Sequence, residues 1–318
     1  MKIVVLDGYA ANPGDLSWDN LAALGQLTLY DRTSPEEVVD RIGDAQAVYT
    51  NKVPITAEIL DACPSIQFIC VTATGYNVVE IQAARARGIP VCNIPAYSSA
   101  SVTQMVFALL LEIAHNTAHH AQAVRDGRWA SCPDFCFWDT PLMELAGKTL
   151  GIIGYGSIGQ KVAAIAVGFG MNVLACSRTP HPELETEQIK IVSQDDVFAG
   201  ADVITLHCPQ NEESRNLIRQ ENLAKMKDGV ILINTARGGC VVEADVAQAL
   251  QAGKLAWYAA DVLSTEPPQA DHPLLSAPHT LITPHIAWAT REARLRLMHI
   301  AVENLRAYQA GSPINVVN

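Results

Sequence analysis

The sequence predicts an α/β protein built from two doubly wound parallel-sheet domains. Three observations lead there. The chain has 318 residues, more than one hydrophobic core holds comfortably. Short apolar runs alternate with helical segments in two successive blocks, the pattern of parallel strands covered by helices. A glycine-rich turn, Gly154-Tyr155-Gly156-Ser157-Ile158-Gly159, follows one such run and opens a helical stretch.

In the first block, residues 3–6, 47–49, 68–71 and 90–92 read as buried strands, with helical character at 35–42, 56–62 and 79–87. Ser99 to Ser101 offer N-cap chemistry to a strongly apolar helix over 102–114. Gly127, Pro133, Pro141, Trp129 and Trp138 then mark an extended loop over 126–144. The second block supplies strands at 149–153, 172–176, 203–206, 230–233, 257–260 and 281–283, with helices such as 157–169 and 243–252 between them. A last helix over 291–310 precedes a short tail.

The glycine turn sits where a dinucleotide-binding Rossmann domain needs it. Gly154 permits the tight turn, Gly156 lets the backbone approach a pyrophosphate, and Gly159 lets the helix pack on the strand. The helix N-terminus offers unpaired N–H groups to the phosphates. These features place a dinucleotide-binding domain at residues 99–288. Residues 1–98 and 289–318 then form the substrate domain, with the last helix returning to the first. The strand after the turn ends Cys176-Ser177-Arg178-Thr179, with no acid between Met171 and Pro182 to hold a ribose 2′-hydroxyl. Arg178 suits a 2′-phosphate and stacking on adenine, and Ser177 and Thr179 add hydrogen bonds. NADP is therefore favoured over NAD, which stays open.

Three charged residues fall at ends of later strands: Arg237 in Thr235-Ala236-Arg237-Gly238, Glu266 in Asp261–Pro267, and His285 in Thr283-Pro284-His285. Ligands of doubly wound sheets bind outside such carboxyl ends. With the stretches 147–159, His207-Cys208-Pro209, 234–238, 261–267 and 284–290, in this order and spacing, the chain resembles the D-isomer-specific 2-hydroxyacid dehydrogenase family over essentially its whole length. Residues 137–142 and 285–290 look most like its hydroxypyruvate reductase, or glycerate dehydrogenase, branch.

The resemblance implies a flavodoxin-like substrate domain beside the Rossmann domain, a cleft between them, and hydride transfer between NAD(P)H and a short 2-keto acid. Hydroxypyruvate or glyoxylate would yield D-glycerate or glycolate. Arg237 would grip the carboxylate and carbonyl with its planar fork. His285 would donate the proton in reduction, and Glu266 would orient the imidazole and favour its charged form. The backbone N–H groups of Thr74 and Gly75 would bind the substrate carboxylate. Asp261 would hold the nicotinamide carboxamide, and Thr103 and His207 to Pro209 would line the cofactor, as would Thr235 and Ala236. A homodimer follows from the same resemblance, with residues 102–114 and the next loop as its interface, and Trp138 reaching the partner's substrate site.

Composition narrows the partners. The formal charge is −11 and no run of Lys or Arg appears, which speaks against nucleic acid, yet one local Arg can still hold an anionic substrate. The eight cysteines are scattered, with no CxxC pair, and read as reduced, buried small residues. His115 and His119 share a helical face and His120 adjoins them; all three are read as surface or interface residues, and the chemistry needs no metal. No signal-like segment or apolar run of membrane-spanning length is seen, which points to the cytoplasm. The alternatives are a dehydrogenase for another D-2-hydroxy acid and a cofactor-sensing, co-repressor-like binding protein on the same scaffold. Turnover of NADPH with hydroxypyruvate separates the last from an enzyme.

Overall fold

The computed structural model describes residues 1–179 and 181–318. In chain order the first elements are β1 Lys2–Val5, α1 Asp19–Ala22, β2 Gln26–Leu29, α2 Val38–Ile42, β3 Ala47–Thr50, α3 Ala57–Ala62, β4 Phe68–Val71, α4 Ile81–Ala86 and β5 Val91–Cys92. Next come α5 Ser99–His115, α6 Thr117–Arg125, β6 Thr149–Ile153, α7 Ser157–Gly168, β7 Asn172–Cys176, β8 Ile189–Ile191, α8 Gln194–Gly200 and β9 Val203–Leu206. The chain closes with α9 Gln220–Lys225, β10 Val230–Asn234, α10 Glu243–Gln251, β11 Leu255–Ala260, α11 Pro273–Ser276, β12 Thr280–Ile282 and α12 Arg291–Gln309. It divides into two compact units, Met1–Ser98 with Trp288–Asn318, and Ser99–Ala287.

The first unit carries an all-parallel five-stranded sheet in the order β2-β1-β3-β4-β5, the flavodoxin-like arrangement. β1, β3 and β4 have almost no exposed residue, because a parallel sheet is covered on both faces. One core combines Ile3, Tyr49, Phe68 and Cys70 with Leu297, Ala301 and Leu305 of α12; the other gathers Val4, Val48, Ile69 and Val71 with α2, α3 and α4. α12 is fastened by polar contacts as well. The Tyr49 hydroxyl donates to Ala301 O at 3.0 Å, and Arg294 grips both carboxylate oxygens of Asp15 at 2.6 and 2.7 Å. The tail lies antiparallel along β5: Val317 N donates to Val91 O, Asn93 N to Asn315 O, and Asn318 brackets Ile89 and Val91 through its side-chain amide.

The second unit carries seven parallel strands in the order β12-β11-β10-β9-β6-β7-β8. Counting from β6, that is the 3-2-1-4-5-6 Rossmann order with one strand added. Val106, Leu110 and Val162 cover one face of the sheet, and Phe198, Leu223, Val246 and Leu250 belong to the core on the other. The α/β class and both sheet types are as expected from the sequence.

Local expectations were corrected in several places. Ser99 to Ser101 are the first turn of α5 rather than a cap before it. The helical face shared by His115 and His119 is broken: Asn116 adopts φ 51°, α5 ends before it and α6 starts after it. His119 instead pairs with Asp139 at 2.6 Å, where Arg128 also bonds, and the hydrogen bonds from Arg128 and His119 hold the Asp139 carboxyl well below the usual carboxylate range. The edge strands β2 and β8 and the short helices α1, α6, α8, α9 and α11 were not anticipated. Five of the cysteines are buried and three are half-buried. Among the described residues no helix is long and apolar enough to cross a membrane.

Candidate active site

The glycine turn is built as its spacing suggests. Gly154 has φ 102°, and a Cβ there would lie 2.6 Å from Cys208 N, so only glycine lets the β6 and β9 ends approach. A Cβ on Gly159 would sit 2.3 Å from Gly154 O, which explains the close seating of α7 on the turn. Gly156 is different: a Cβ there would meet nothing within 4 Å, because its face opens on free space at the N-terminus of α7. That space is a cavity of about 540 Å³. Gly154, Tyr155, Gly156, Ser177, Arg178, Thr179, His207, Cys208 and Pro209 all line it. Ser157 is exposed at the first position of α7, while Ile158 and Gly159 turn inward to pack.

The cavity holds features that the sequence did not disclose. Glu213 reaches its rim and faces Arg178 across 3.9 Å. At the ends of the paired strands β9 and β10, His207 Nδ1 and Thr235 Oγ1 are sealed from solvent without a hydrogen-bond partner among the described residues. Burial pushes His207 down to about 3, so the imidazole stays neutral, with its Nε2 3.0 Å from Thr205 Oγ1. Two orphaned polar atoms on neighbouring strand ends, beside an open helix N-terminus, fit a polar ligand with phosphates and sugar hydroxyls. A nicotinamide dinucleotide is such a ligand.

Thr103, which the resemblance places along the cofactor, lies within α5; it is 2% exposed, and its hydroxyl donates to Ser99 O at 2.8 Å.

Next along the sheet edge, the Arg237 turn is shaped by Asn234. Its side chain accepts from Ala236 N and donates to Arg237 O, both at 3.0 Å, and it is fully buried. Arg237 itself is exposed, with Nη1 bonded to Ala236 O at 2.7 Å. The following Gly238 abuts the segment after β11: a Cβ there would lie 1.9 Å from Leu263 C. Through this contact the Arg237 turn lies against the segment that carries Glu266.

Glu266 and His285 meet. Glu266 Oε1 accepts from Leu263 N at 3.1 Å, and Glu266 Oε2 lies 2.6 Å from His285 Nδ1. Both side chains are about one-third exposed, which leaves the imidazole's Nε2 edge available to a ligand. His285 adopts φ 53°, an αL conformation that a non-glycine residue takes only when its surroundings hold it. Asp261 does the holding. Its buried carboxylate accepts from Thr283 Oγ1 at 2.6 Å, Ile286 N at 2.9 Å and Ala287 N at 2.7 Å, on both sides of His285. With both oxygens engaged and 1% of its surface exposed, Asp261 organises the His285 loop.

On the first unit, Thr74 and Gly75 follow β4. Thr74 Oγ1 donates to Ile94 O at 2.9 Å and Thr74 O accepts from Asn93, while among the described residues neither N–H donates within the chain. In the loop after α6, Trp129, Phe135, Trp138 and Leu142 are all more than half exposed.

Fold and strand-end chemistry together place the protein among nicotinamide-dependent oxidoreductases. Residues 107–287 match the family described as D-isomer specific 2-hydroxyacid dehydrogenase, NAD binding domain. The chain is 55% identical over 321 aligned residues to a hydroxypyruvate reductase of Blautia hydrogenotrophica, covering 100% of both chains. It is 41% identical over 291 residues to a glycerate dehydrogenase of Methylorubrum extorquens, covering 91% of this chain and 90% of that one. A crystal structure of a Thermus thermophilus protein superposes with a TM-score of 0.86 at 34% identity, covering 100% of each chain. The chain belongs to the D-isomer specific 2-hydroxyacid dehydrogenase family.

Proposed function

We propose that this enzyme uses NAD(P)H to reduce a short 2-keto acid to its D-2-hydroxy acid, with hydroxypyruvate to D-glycerate as the favoured reaction and glyoxylate as a second substrate. The observation that carries the proposal is the His285–Glu266 pair at 2.6 Å, on a sheet edge that also bears Arg237 and the glycine turn. The similarity to the hydroxypyruvate reductase and glycerate dehydrogenase named above supports the choice of acid.

The bound reduced nicotinamide supplies the hydride. His285 is the proton donor to the keto oxygen, and the proton it needs sits on Nε2. Glu266 fixes the ring by accepting from Nδ1–H, and its negative charge stabilises the imidazolium before transfer. Arg237 holds the substrate carboxylate and offsets the charge that builds on the oxygen. The Thr74 and Gly75 N–H groups are the anion donors of the first unit. Gly154 to Gly159 take the pyrophosphate, and His207 and Thr235 offer their unpartnered atoms to the sugar and ring.

NADPH is the favoured cofactor, because Arg178, Ser177 and Thr179 line the cavity and no acid follows β7. Glu213 opposes a 2′-phosphate at the same rim. The protein is proposed to be a cytoplasmic homodimer, the second copy covering the aromatic loop of Trp129, Phe135 and Trp138; sedimentation of the purified protein as a monomer would refute this.

A panel of hydroxypyruvate, glyoxylate, pyruvate and longer keto acids with both reduced cofactors tests the reading. Hydroxypyruvate should give the highest kcat/KM, and Arg178→Ala should lower kcat/KM for NADPH by about tenfold or more, the loss of one charge-assisted contact, with NADH little affected. Turnover within threefold of wild type in His285→Ala would refute the acid–base assignment.

A further inference from the structure

We propose that Glu243 is a positioning residue for the reaction, setting the place of Glu266 and through it the orientation of His285. This rests on the acid–base reading of that pair. Glu243 opens α10 and lies outside the residues lining the cofactor cavity, with its side chain 12% exposed.

Among the described residues its side-chain hydrogen bonds run to the segment around Glu266. Oε1 accepts from Ser264 N at 2.8 Å, and Oε2 accepts from Ser264 Oγ. Oε2 also lies 3.0 Å from His272 Nε2. The direction of that last bond follows from the other ring nitrogen: His272 Nδ1 accepts from Leu274 N at 3.3 Å, capping α11, so the ring proton resides on Nε2 and is donated to Glu243. Glu243 thus holds the chain on both sides of Glu266, at Ser264 before it and His272 after it.

The link to the reacting pair is one peptide long. Ser264 N–H is held by Glu243, while the neighbouring Leu263 N–H holds Glu266 Oε1 at 3.1 Å, leaving Oε2 for His285. A small shift of Ser264 moves Leu263 N–H and therefore turns the Glu266 carboxylate. Three donors converge on Glu243, so only a carboxylate suits the position. An amide of the same shape offers one oxygen and places its own N–H groups against another donor.

The test is a double-mutant cycle on the full-length enzyme, read as kcat/KM for hydroxypyruvate with NADPH, alongside melting temperature and the cofactor KM. Glu243→Gln alone should lower kcat/KM roughly tenfold, as expected for misplacement of a catalytic group, with the cofactor KM within about twofold. In a Glu266→Gln background the same substitution should cost less than about twofold, because the group it positions is already disabled. Ser264→Ala, a milder change that keeps the backbone bond, should follow the same pattern with a loss of about threefold. It serves in place of Glu243→Gln if that variant does not fold. Equal losses in both backgrounds would mark a structural brace and overturn the proposal while leaving the acid–base reading intact. Wild-type activity in Glu243→Gln would overturn it likewise. Wild-type activity in Glu266→Gln alone would bring down the acid–base reading, and this proposal with it.

Discussion

Replacing Gly238 by alanine should disable the enzyme without touching a reacting group. The added methyl would sit 1.9 Å from Leu263 C, 2.1 Å from Leu263 O and 2.2 Å from Ser264 N, all of them backbone atoms that cannot rotate away. Carbon atoms rest at ~3.5 Å, so the 263–266 segment must retreat by about 1.5 Å. Glu266 travels with it, and its 2.6 Å bond to His285 Nδ1 cannot stretch that far and survive. Overpacking of this kind costs about 1–3 kcal/mol of stability, and displacement of a catalytic group by ~1 Å can cost 10²-fold in rate. Steady-state kinetics should therefore show kcat/KM for the keto acid down by about a hundredfold in Gly238→Ala. Cofactor affinity, followed by quenching of protein fluorescence, should change less, since the added methyl meets the Leu263–Ser264 backbone rather than the glycine turn. Activity within threefold of wild type at an unchanged melting temperature would refute the account of how the Arg237 turn and the Glu266 segment are fitted together.

Two further outcomes follow from the same edge of the sheet. Asp261→Asn should lower the melting temperature by about 5–10 °C, because a buried acceptor of three hydrogen bonds loses about 2–3 kcal/mol when an amide N–H replaces one oxygen. Turnover should fall with it, as His285 loses the contacts that hold its αL backbone; scanning calorimetry and kinetics on one sample check both. His207 titrates near 3 when folded against 6.5 ordinarily, so below pH 6.5 the unfolded chain takes up a proton that the folded one refuses. Stability should therefore decline as pH falls from 6.5 towards 3. The difference in melting temperature between pH 7 and pH 5 should be smaller in His207→Asn than in wild type.

The parts of the fold that were legible in the sequence are those whose burial is two-sided. β3, β4, β6, β9 and β10 are largely apolar runs because helices cover both faces. β2 and β8 escaped notice because edge strands stay partly wet: Gln26–Leu29 has no buried residue, and Ile189–Ile191 is only three residues long with Lys190 exposed. The break at Asn116 was invisible because the stretches on either side are both helical and a single αL residue leaves no periodic trace. For the site, motif order sufficed to nominate Arg237, Glu266 and His285, since each closes a strand. It could not reveal Asn234, Glu243 or the supporting role of Asp261. Glu243 and Asp261 act through hydrogen bonds to segments distant in sequence and Asn234 through bonds within its own turn, and a lone buried polar residue looks the same whether it braces a loop or contacts a ligand.

The last four residues have a consequence for handling the protein. Along β5 they occupy backbone groups that would otherwise form the bare rim of the five-stranded sheet, and Asn315 ties them to the buried Asn304 of α12. A rim of unpaired amides is a template on which another molecule's strand can grow. A bulky fusion that pulls this short strand off its neighbour would thus convert a well-behaved subunit into one that sticks to its own kind, even with every catalytic group in place.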